Sequence, residues 1–204
     1  MLLTVLDERV RTVLERLERE DAAERAQGLP AAERSRQVER TTGQFLFALV
    51  SPQADCEVLE IGGSRGYSTI WLGAAVRTHG GHVTSLEASP AKLEASARNI
   101  ADAGLEEWID VVPGDAFRSL EDLDGPYDLV FLDAWKDDYE ALYRLARARM
   151  EAGAIVVADN VSSHVGLAAY SASRQSDTGL VSVTVPLDNG LEVTTVLTGG
   201  LLSD

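Results

Sequence analysis

The first fifty residues carry apolar positions at helical spacing, and the rest of the chain alternates short apolar runs with amphipathic segments. One helical face runs among charged residues through Leu6, Val10, Val13, Leu14 and Leu17. Gly28-Leu29-Pro30 interrupts this pattern, which resumes over residues 31–50. We therefore predict helices on both sides of the break, and we expect residues 1–50 to form either a lid over the rest of the chain or the face of a homodimer.

From Cys56 onward, apolar runs typical of buried parallel strands alternate with helical patterns. Strands are predicted near residues 56–61, 82–87, 109–112, 127–133 and 153–159. Two more apolar runs flank Asp188-Asn189-Gly190, a turn-forming sequence that predicts a terminal antiparallel hairpin. The pattern predicts one α/β domain over residues 1–204, in which residues 51–204 form the core around seven strands.

The charge and composition of the chain disfavour two classes of binding partner. The chain has 18 Lys and Arg residues against 33 Asp and Glu residues, and its formal net charge is −15. Such an acidic chain is a poor candidate for binding nucleic acid or an anionic membrane surface, because both require cationic side chains. Cys56 is the only cysteine, which excludes an internal disulfide and fits a reducing compartment. With no signal-peptide pattern and no run of about 18 apolar residues, we expect a cytoplasmic protein.

The first predicted strand leads into a glycine-rich turn, Gly62-Gly63-Ser64-Arg65-Gly66, just before a predicted helix. Glycines let the backbone approach a ligand, and a helix start offers free N–H groups. Ser64 and Arg65 occupy positions where the dinucleotide fingerprint requires glycine, so a pyrophosphate-binding loop is disfavoured. Glu87 ends the next strand, where a carboxylate can accept ribose hydroxyls, and Asp115 and Ala116 would flank an adenine. These features favour S-adenosylmethionine over NAD.

Polar side chains also follow two later strands of the predicted sheet. Asp133 comes at the end of the strand near 127–133, and Asp159 and Asn160 end the strand near 153–159. Because the carboxyl ends of parallel strands meet at one edge, these hard oxygen ligands are expected to converge and to suit Mg²⁺. Lys136 stands one helical turn from Asp133 and could act there as an acid or base. The alternative is that the aspartates only cap helices and that Lys136 is solvated.

The motifs LEIGGSRGYS, TSLEASP, VFLDAWKDDY, VADNV and NGLE together give the chain a family resemblance. It resembles the metal-dependent class I S-adenosylmethionine O-methyltransferases, most nearly those of the catechol O-methyltransferase type, from about Val38 to Gly199. The resemblance implies a Rossmann-like sheet of seven strands in the order 3-2-1-4-5-7-6, with strand 7 antiparallel and helices on both faces. It also implies methyl transfer to a small phenolic substrate, an ortho-dihydroxy aromatic.

The same resemblance assigns roles to individual residues. Asp133, Asp159 and Asn160 would hold Mg²⁺, and Lys136 would be the general base. The substrate would contact Lys136, Asn160 and Glu192, although Glu192 could instead be an outward-facing strand residue. The residues expected to bind the cofactor, with Trp135 packed on the adenine, are Val38, Glu60, Gly62, Gly66, Ser68, Glu87, Asp115, Ala116, Asp133 and Trp135.

The chain departs from this family pattern at the substrate. The apolar wall of the catechol enzymes, which includes a tryptophan from the N-terminal region, is not reproduced. Arg34, Arg36 and His164 lie roughly where that wall should stand, which predicts an acidic ortho-dihydroxy aromatic as substrate. The alternative places both arginines on the exposed face of an N-terminal helix. Two other functions stay open: an NAD-dependent oxidoreductase, and a non-catalytic module that binds the nucleoside.

Overall fold

A central sheet with helices on both faces organises the chain. The computed structural model describes residues 6–30 and 33–197. Their strands are β1 (Cys56–Ile61), β2 (Gly81–Glu87), β3 (Ile109–Pro113), β4 (Leu129–Leu132), β5 (Ile155–Ala158), β6 (Leu180–Val185) and β7 (Leu191–Val196). Their α-helices are α1 (Glu8–Ala26), α2 (Arg40–Val50), α3 (Tyr67–Val76), α4 (Pro90–Ala103), α5 (Ala116–Asp122), α6 (Tyr139–Arg147) and α7 (Ala168–Ser176).

The strands of the described residues form one sheet in the order β3-β2-β1-β4-β5-β7-β6. Strands β1 to β5 pair in parallel, and β7 runs antiparallel between β5 and β6. The predicted order, with its antiparallel seventh strand, is confirmed. The chain progresses in opposite directions from β1 and from β4, and such a reversal opens a crevice beyond the carboxyl ends of those two strands.

Two hydrophobic layers cover the sheet, because alternate strand residues point to opposite faces. Val58 belongs to the layer formed with α1 to α4, whereas Leu59 belongs to the layer formed with α5 to α7. In the first layer the indole of Trp71 is fully buried and meets Phe47 edge to face at 6.3 Å. A Cβ at Gly43 would lie 2.4 Å from the indole, so α2 can cross α3 here only with glycine. No helix among the described residues has the length and apolarity needed to cross a membrane.

The helical prediction for residues 31–50 is wrong over residues 33–39, because α2 begins only at Arg40. Residues 31 and 32 lie outside the described residues. Tertiary contacts override the helical pattern there. The backbone N–H of Ser35 donates to Glu24 of α1, and the carbonyl of Ser35 accepts from Ser64 of the glycine-rich turn. Arg36 has a φ of 52°, which a right-handed helix cannot accommodate. Residues 33–39 therefore form an irregular strap between α1 and α2.

Helix α7, preceded by a 3₁₀ turn at Val165–Leu167, was not predicted. Its sequence is mostly small and polar, and it buries only Tyr170 and Arg174, so it lacks the apolar period that marks a helix. The Arg174 guanidinium lies 3.8 Å from the centre of the Tyr143 ring of α6. A cation–aromatic contact, rather than an aliphatic stripe, attaches this helix.

The terminal hairpin is confirmed, and its turn also holds α2. The Asp188 carboxylate accepts from the hydroxyl of Thr41 at 2.6 Å, and from the N–H and hydroxyl of Thr42 at 3.1 and 2.8 Å. The residue preceding α2, Glu39, makes no capping hydrogen bond of its own. Asp188 therefore caps α2 from a distant part of the chain.

Replacing Asp188 with alanine is expected to lower the free energy of unfolding by about 1–2 kcal/mol, the usual cost of a lost N-terminal cap. Urea unfolding followed by circular dichroism measures this value. Asp124→Ala is the control, because Asp124 is an exposed loop aspartate with no side-chain hydrogen bond within the described structure. Equal stability losses in the two variants would contradict the capping role.

Candidate functional site

A cleft of about 390 Å³ lies beyond the carboxyl ends of strands β1 to β5, and residues 34–38 of the strap cover part of it. This volume is within the range of small-ligand sites. Most of the site residues expected from the sequence line the cleft together: Val38, Gly62, Glu87, Asp115, Ala116, Asp133, Trp135, Asp159 and Asn160. Of these, Asp115 also caps α5, because its carboxylate accepts the N–H of Phe117 at 2.9 Å.

The glycine-rich turn brings two strand ends into contact. Gly62 has a φ of 104°, and a Cβ there would lie 2.2 Å from the carbonyl oxygen of Asp133. Only glycine lets the turn after β1 touch the loop after β4. Gly66 starts α3 and faces Ser96 of α4, so it lies outside the cleft lining and its role in the structure is close packing.

The carboxylate of Glu87 joins the glycine-rich turn to the loop after β2. One carboxylate oxygen accepts the N–H of Ser64 at 2.9 Å, and the other accepts the N–H of Ser89 at 2.7 Å. Each oxygen keeps a second lone pair. Glu87 can therefore fix both loops and still accept hydrogen bonds from a ligand in the cleft.

Glu60 lies behind the turn and is completely buried. Burial raises the pKa of its carboxyl, although the hydroxyls of Ser85 and Thr69 donate to Oε2 and favour the charged form. The hydroxyl of Ser85 lies 2.5 Å from Oε2, whereas Oε1 is buried without a partner among the described residues. Neither Glu60 nor Ser68 lines the main cleft, but Ser68 lines a small cavity that adjoins it behind Gly62.

Two carboxylates meet at the ends of β4 and β5. Asp159 is 4% exposed, and burial together with the negative charge of Asp133 raises its pKa to about 7. Its oxygens accept from the backbone N–H of Asn160 at 2.7 Å and from the side-chain amide at 2.9 Å. Asn160 itself takes a left-handed φ of 65°, a conformation that asparagine tolerates better than most residues. A cation placed between these groups would relieve the repulsion of the two acids.

Lys136 is not among the residues that line the cleft, but its Nζ contacts the first acid of this pair. Its Nζ donates to Asp133 at 2.7 Å and to the hydroxyl of Tyr139 at 2.8 Å, and that hydroxyl donates to the carbonyl of Asp159 at 3.1 Å. Burial raises the pKa of Tyr139 well above its usual range, so its phenol remains a donor. Tyr139 was not expected in the site, although its spacing of three residues from Lys136 on a helical pattern could have indicated it.

Glu192 requires a correction. Its carboxylate is fully buried between β6, β7 and α7, where Ser182, Thr184 and Gln175 donate to it at 2.6 to 3.2 Å. It does not line the cleft, so the structure does not support direct contact with a substrate. Nor is it an outward-facing residue. Asn189 of the preceding turn, which was not expected, reaches the cleft instead.

The basic residues expected near the substrate separate into two groups. Arg34 and Arg36 line the cleft from the strap, whereas His164 is exposed and lies outside the lining. The alternative of an exposed helical face is wrong for both arginines, because the strap is not helical.

Comparison with known proteins shows the family. A family model described as O-methyltransferase matches residues 9–196. The chain belongs to this O-methyltransferase family. It is 38% identical over 130 residues to a catechol O-methyltransferase of Mycobacterium tuberculosis, a match that covers 63% of this chain and 59% of that protein.

Solved structures of O-methyltransferases share the fold. Cofactor-bound Rv0187 from MTB superposes with a TM-score of 0.77 at 30% identity, over 92% of this chain and 91% of that one. The Bacillus cereus O-methyltransferase in complex with SAH gives a TM-score of 0.74 at 27% identity, over 91% and 90% of the two chains.

The raised pKa of Asp159 predicts a pH-dependent effect of Asp159→Asn in metal-free protein. The folded state disfavours the charged carboxylate, so its stability falls as the pH rises from the usual pKa of 3.8 to about 7. The neutral amide avoids this loss. In chelator, the variant should therefore raise the melting temperature more at pH 8 than at pH 5, because only part of the loss has accumulated at pH 5. Exposed Asp137→Asn is the control, and an equal gain at both pH values would refute the effect.

Proposed function

We propose that this chain transfers the methyl group of S-adenosylmethionine to one hydroxyl of an ortho-dihydroxy aromatic compound. The observation that carries the proposal is the convergence of Asp133, Asp159, Asn160 and Lys136 beside a ligand-sized cleft. The catechol O-methyltransferase of M. tuberculosis supports the acceptor class, and the neighbour in complex with SAH supports the cofactor. No observation favours an NAD-dependent oxidoreductase or a non-catalytic module.

The cleft has the acceptors that S-adenosylmethionine requires. This cofactor supplies an electrophilic methyl group, and it carries ribose hydroxyls and an ammonium group as donors. Glu87 would accept the ribose hydroxyls on lone pairs that Ser64 and Ser89 leave free. The unpartnered Oε1 of Glu60 is a buried acceptor near the turn, and it supports a donor-bearing ligand at this end of the cleft.

The donor set beside the cleft fits a hard divalent cation. Within residues 6–30 and 33–197 no group of three His, Cys, Asp or Glu side chains could hold a metal, so the amide oxygen of Asn160 would have to complete the set. Asp133 and Asp159 would supply the two carboxylates. The pKa of Asp159 is raised, as expected for two adjacent acids without a cation between them. Mg²⁺ in this position would favour the ionised form of an adjacent hydroxyl.

Lys136 is the proposed base for the acceptor hydroxyl. A hydroxyl bound beside Asp133 would be within reach of Nζ, which lies 2.7 Å from that carboxylate. In its amine form Nζ would take the hydroxyl proton, while the new oxygen–carbon bond forms and the carbon–sulfur bond breaks with its electron pair left on sulfur. Tyr139 holds Nζ by a 2.8 Å hydrogen bond, so the amine is positioned before the acceptor binds.

Lys136→Ala is expected to lower kcat by roughly 10²–10⁴-fold, the usual range for a general base. Lys136→Arg is the matched control, since arginine keeps the ion pair with Asp133 but cannot lose its proton at neutral pH. Both variants should be similarly slow in a methyl-transfer assay on a catechol. If Lys136→Arg is active, Lys136 serves only as a structural cation and not as the general base.

Chelation of divalent cations is expected to abolish turnover while leaving S-adenosylmethionine affinity unchanged, because the proposed metal ligands lie on the acceptor side. Asp159→Ala should reproduce the effect and should not respond to added Mg²⁺. Turnover and calorimetry with and without chelator measure both quantities. Full activity in chelator would exclude the metal-dependent route.

Glu87→Gln is expected to weaken S-adenosylmethionine binding roughly 10- to 100-fold, the value of one charge-assisted hydrogen bond, with a smaller effect on kcat. Calorimetry measures the affinity, and circular dichroism checks that the loops remain folded. The control is Glu94→Gln on α4, which removes one negative charge from an exposed position outside the cleft. If the two variants bind the cofactor equally well, Glu87 does not hold the ribose.

A further inference from the structure

We propose that the enzyme selects acceptors that carry a carboxylate or another anionic group, which Arg36 binds with the support of Arg34 at the acceptor end of the cleft. This inference rests on the proposed methyl transfer and adds the chemical class of the acceptor to it.

Within residues 6–30 and 33–197, neither Arg34 nor Arg36 has a counter-ion. Neither has an ion pair or a hydrogen bond to another residue of the described chain, and the Nε of Arg34 is buried without a partner. Neighbouring arginines behave differently, since each contacts a carboxylate: Arg25 with Asp21, Arg40 with Glu18, and Arg65 with Glu24. Arg36 is exposed, so water can solvate it, but a buried Nε without a partner is costly. In a chain with 33 acidic and 18 basic residues, the unsatisfied Nε of Arg34 beside the cleft supports an anionic ligand there.

Arg36 lies on the acceptor side of the cleft. Its guanidinium is 5.5 Å from the centre of the Trp135 ring, and Trp135 directly precedes Lys136. Arg36 and Asp133 also line the same small cavity behind Gly62, so Arg36 belongs to the part of the site that contains the first of the two acids. The adenine is predicted to bind near Asp115 and Ala116, which follow β3 at one edge of the sheet. Strands β2, β1 and β4 separate β3 from β5. We assign the anion held by Arg36 to the acceptor. The cofactor's own carboxylate is the competing partner, and the comparison of an acid with an amine separates the two.

The backbone holds Arg36 in a fixed and unusual conformation. Its φ of 52° is rare for a residue with a side chain, and such strain tends to persist at functional sites. The preceding residue is anchored three times: Ser35 N–H donates to Glu24 at 2.7 Å, its hydroxyl donates to Asp21 at 2.7 Å, and its carbonyl accepts from Ser64 at 2.7 Å. Arg36 is therefore presented to the cleft from a rigid support.

The chemistry of this end of the cleft suits an aromatic acid. A planar guanidinium can bind a carboxylate by two parallel hydrogen bonds, so Arg36 is suited to the acid group of such an acceptor. The net charge of −15 repels anions at long range, so only a local cationic pair can give an acid the advantage. An acceptor that carries an ammonium group in place of the carboxylate would instead face the positive charges of Arg34 and Arg36.

The test compares a 3,4-dihydroxyphenyl carboxylic acid with the amine of the same chain length, in the parent enzyme and in Arg36→Ala and Arg34→Ala. Arg19→Ala, which removes an exposed arginine from α1 away from the cleft, is the matched control. The parent should have a kcat/KM at least roughly tenfold higher for the acid, the value of one charge-assisted hydrogen bond. Arg36→Ala should lose this preference through KM for the acid, with S-adenosylmethionine affinity unchanged.

Calorimetric binding of both compounds in the presence of S-adenosylhomocysteine separates the two proposals. Methyl transfer to both compounds with equal efficiency would overturn the anion preference and leave the methyl-transfer function standing. Tighter binding of the acid that depends on Arg36, without turnover of either compound, would support the anion site and refute the reaction. If Arg36→Ala weakens the cofactor and leaves the acid-to-amine ratio unchanged, Arg36 serves the cofactor and the inference is wrong.

Discussion

The close approach of two strand ends at Gly62 is the constraint on which the site depends. Because Gly62 has no Cβ, the turn after β1 rests against the carbonyl of Asp133 after β4. This contact places the glycine-rich turn, which would hold the cofactor, directly beside the first of the two acids, which would serve the acceptor. Methyl transfer needs donor and acceptor in line at contact distance, and this shared wall sets that distance through backbone alone. Any side chain at position 62 would separate the two halves of the site.

The strand ends are the part of the site that the sequence predicts well. Buried parallel strands are short apolar runs with clear limits, so Glu87, Asp133 and Asp159 could be placed at the cleft from their positions after such runs. The strand order could not come from periodicity, since the same runs can pair in many ways, and the family resemblance supplied it. The confirmed order explains why residues at the ends of five different strands share one cleft.

The parts that sequence reasoning missed are those fixed by long-range polar contacts. The strap leaves the helical pattern because Glu24 and Ser64 bind the backbone of Ser35, partners that no local window contains. Glu192 was assigned by a motif near the terminal turn, yet the strand period turns its side chain away from the cleft and into a cluster of neutral donors. The buried charge of Arg174 likewise replaces the apolar stripe that would have revealed α7.

The strap alternates residues of two kinds, and this alternation bears on how such an enzyme can diverge. Ser35 and Val38 are buried and attach the strap to the fold, whereas Arg34 and Arg36 contribute to the cleft without entering the hydrophobic layers. If Arg34 and Arg36 bind the acceptor as proposed, mutations at these two positions would alter acceptor choice and leave the attachment of the strap intact. Two amino-acid substitutions could then change the preferred substrate between acidic, neutral and cationic compounds with little loss of stability.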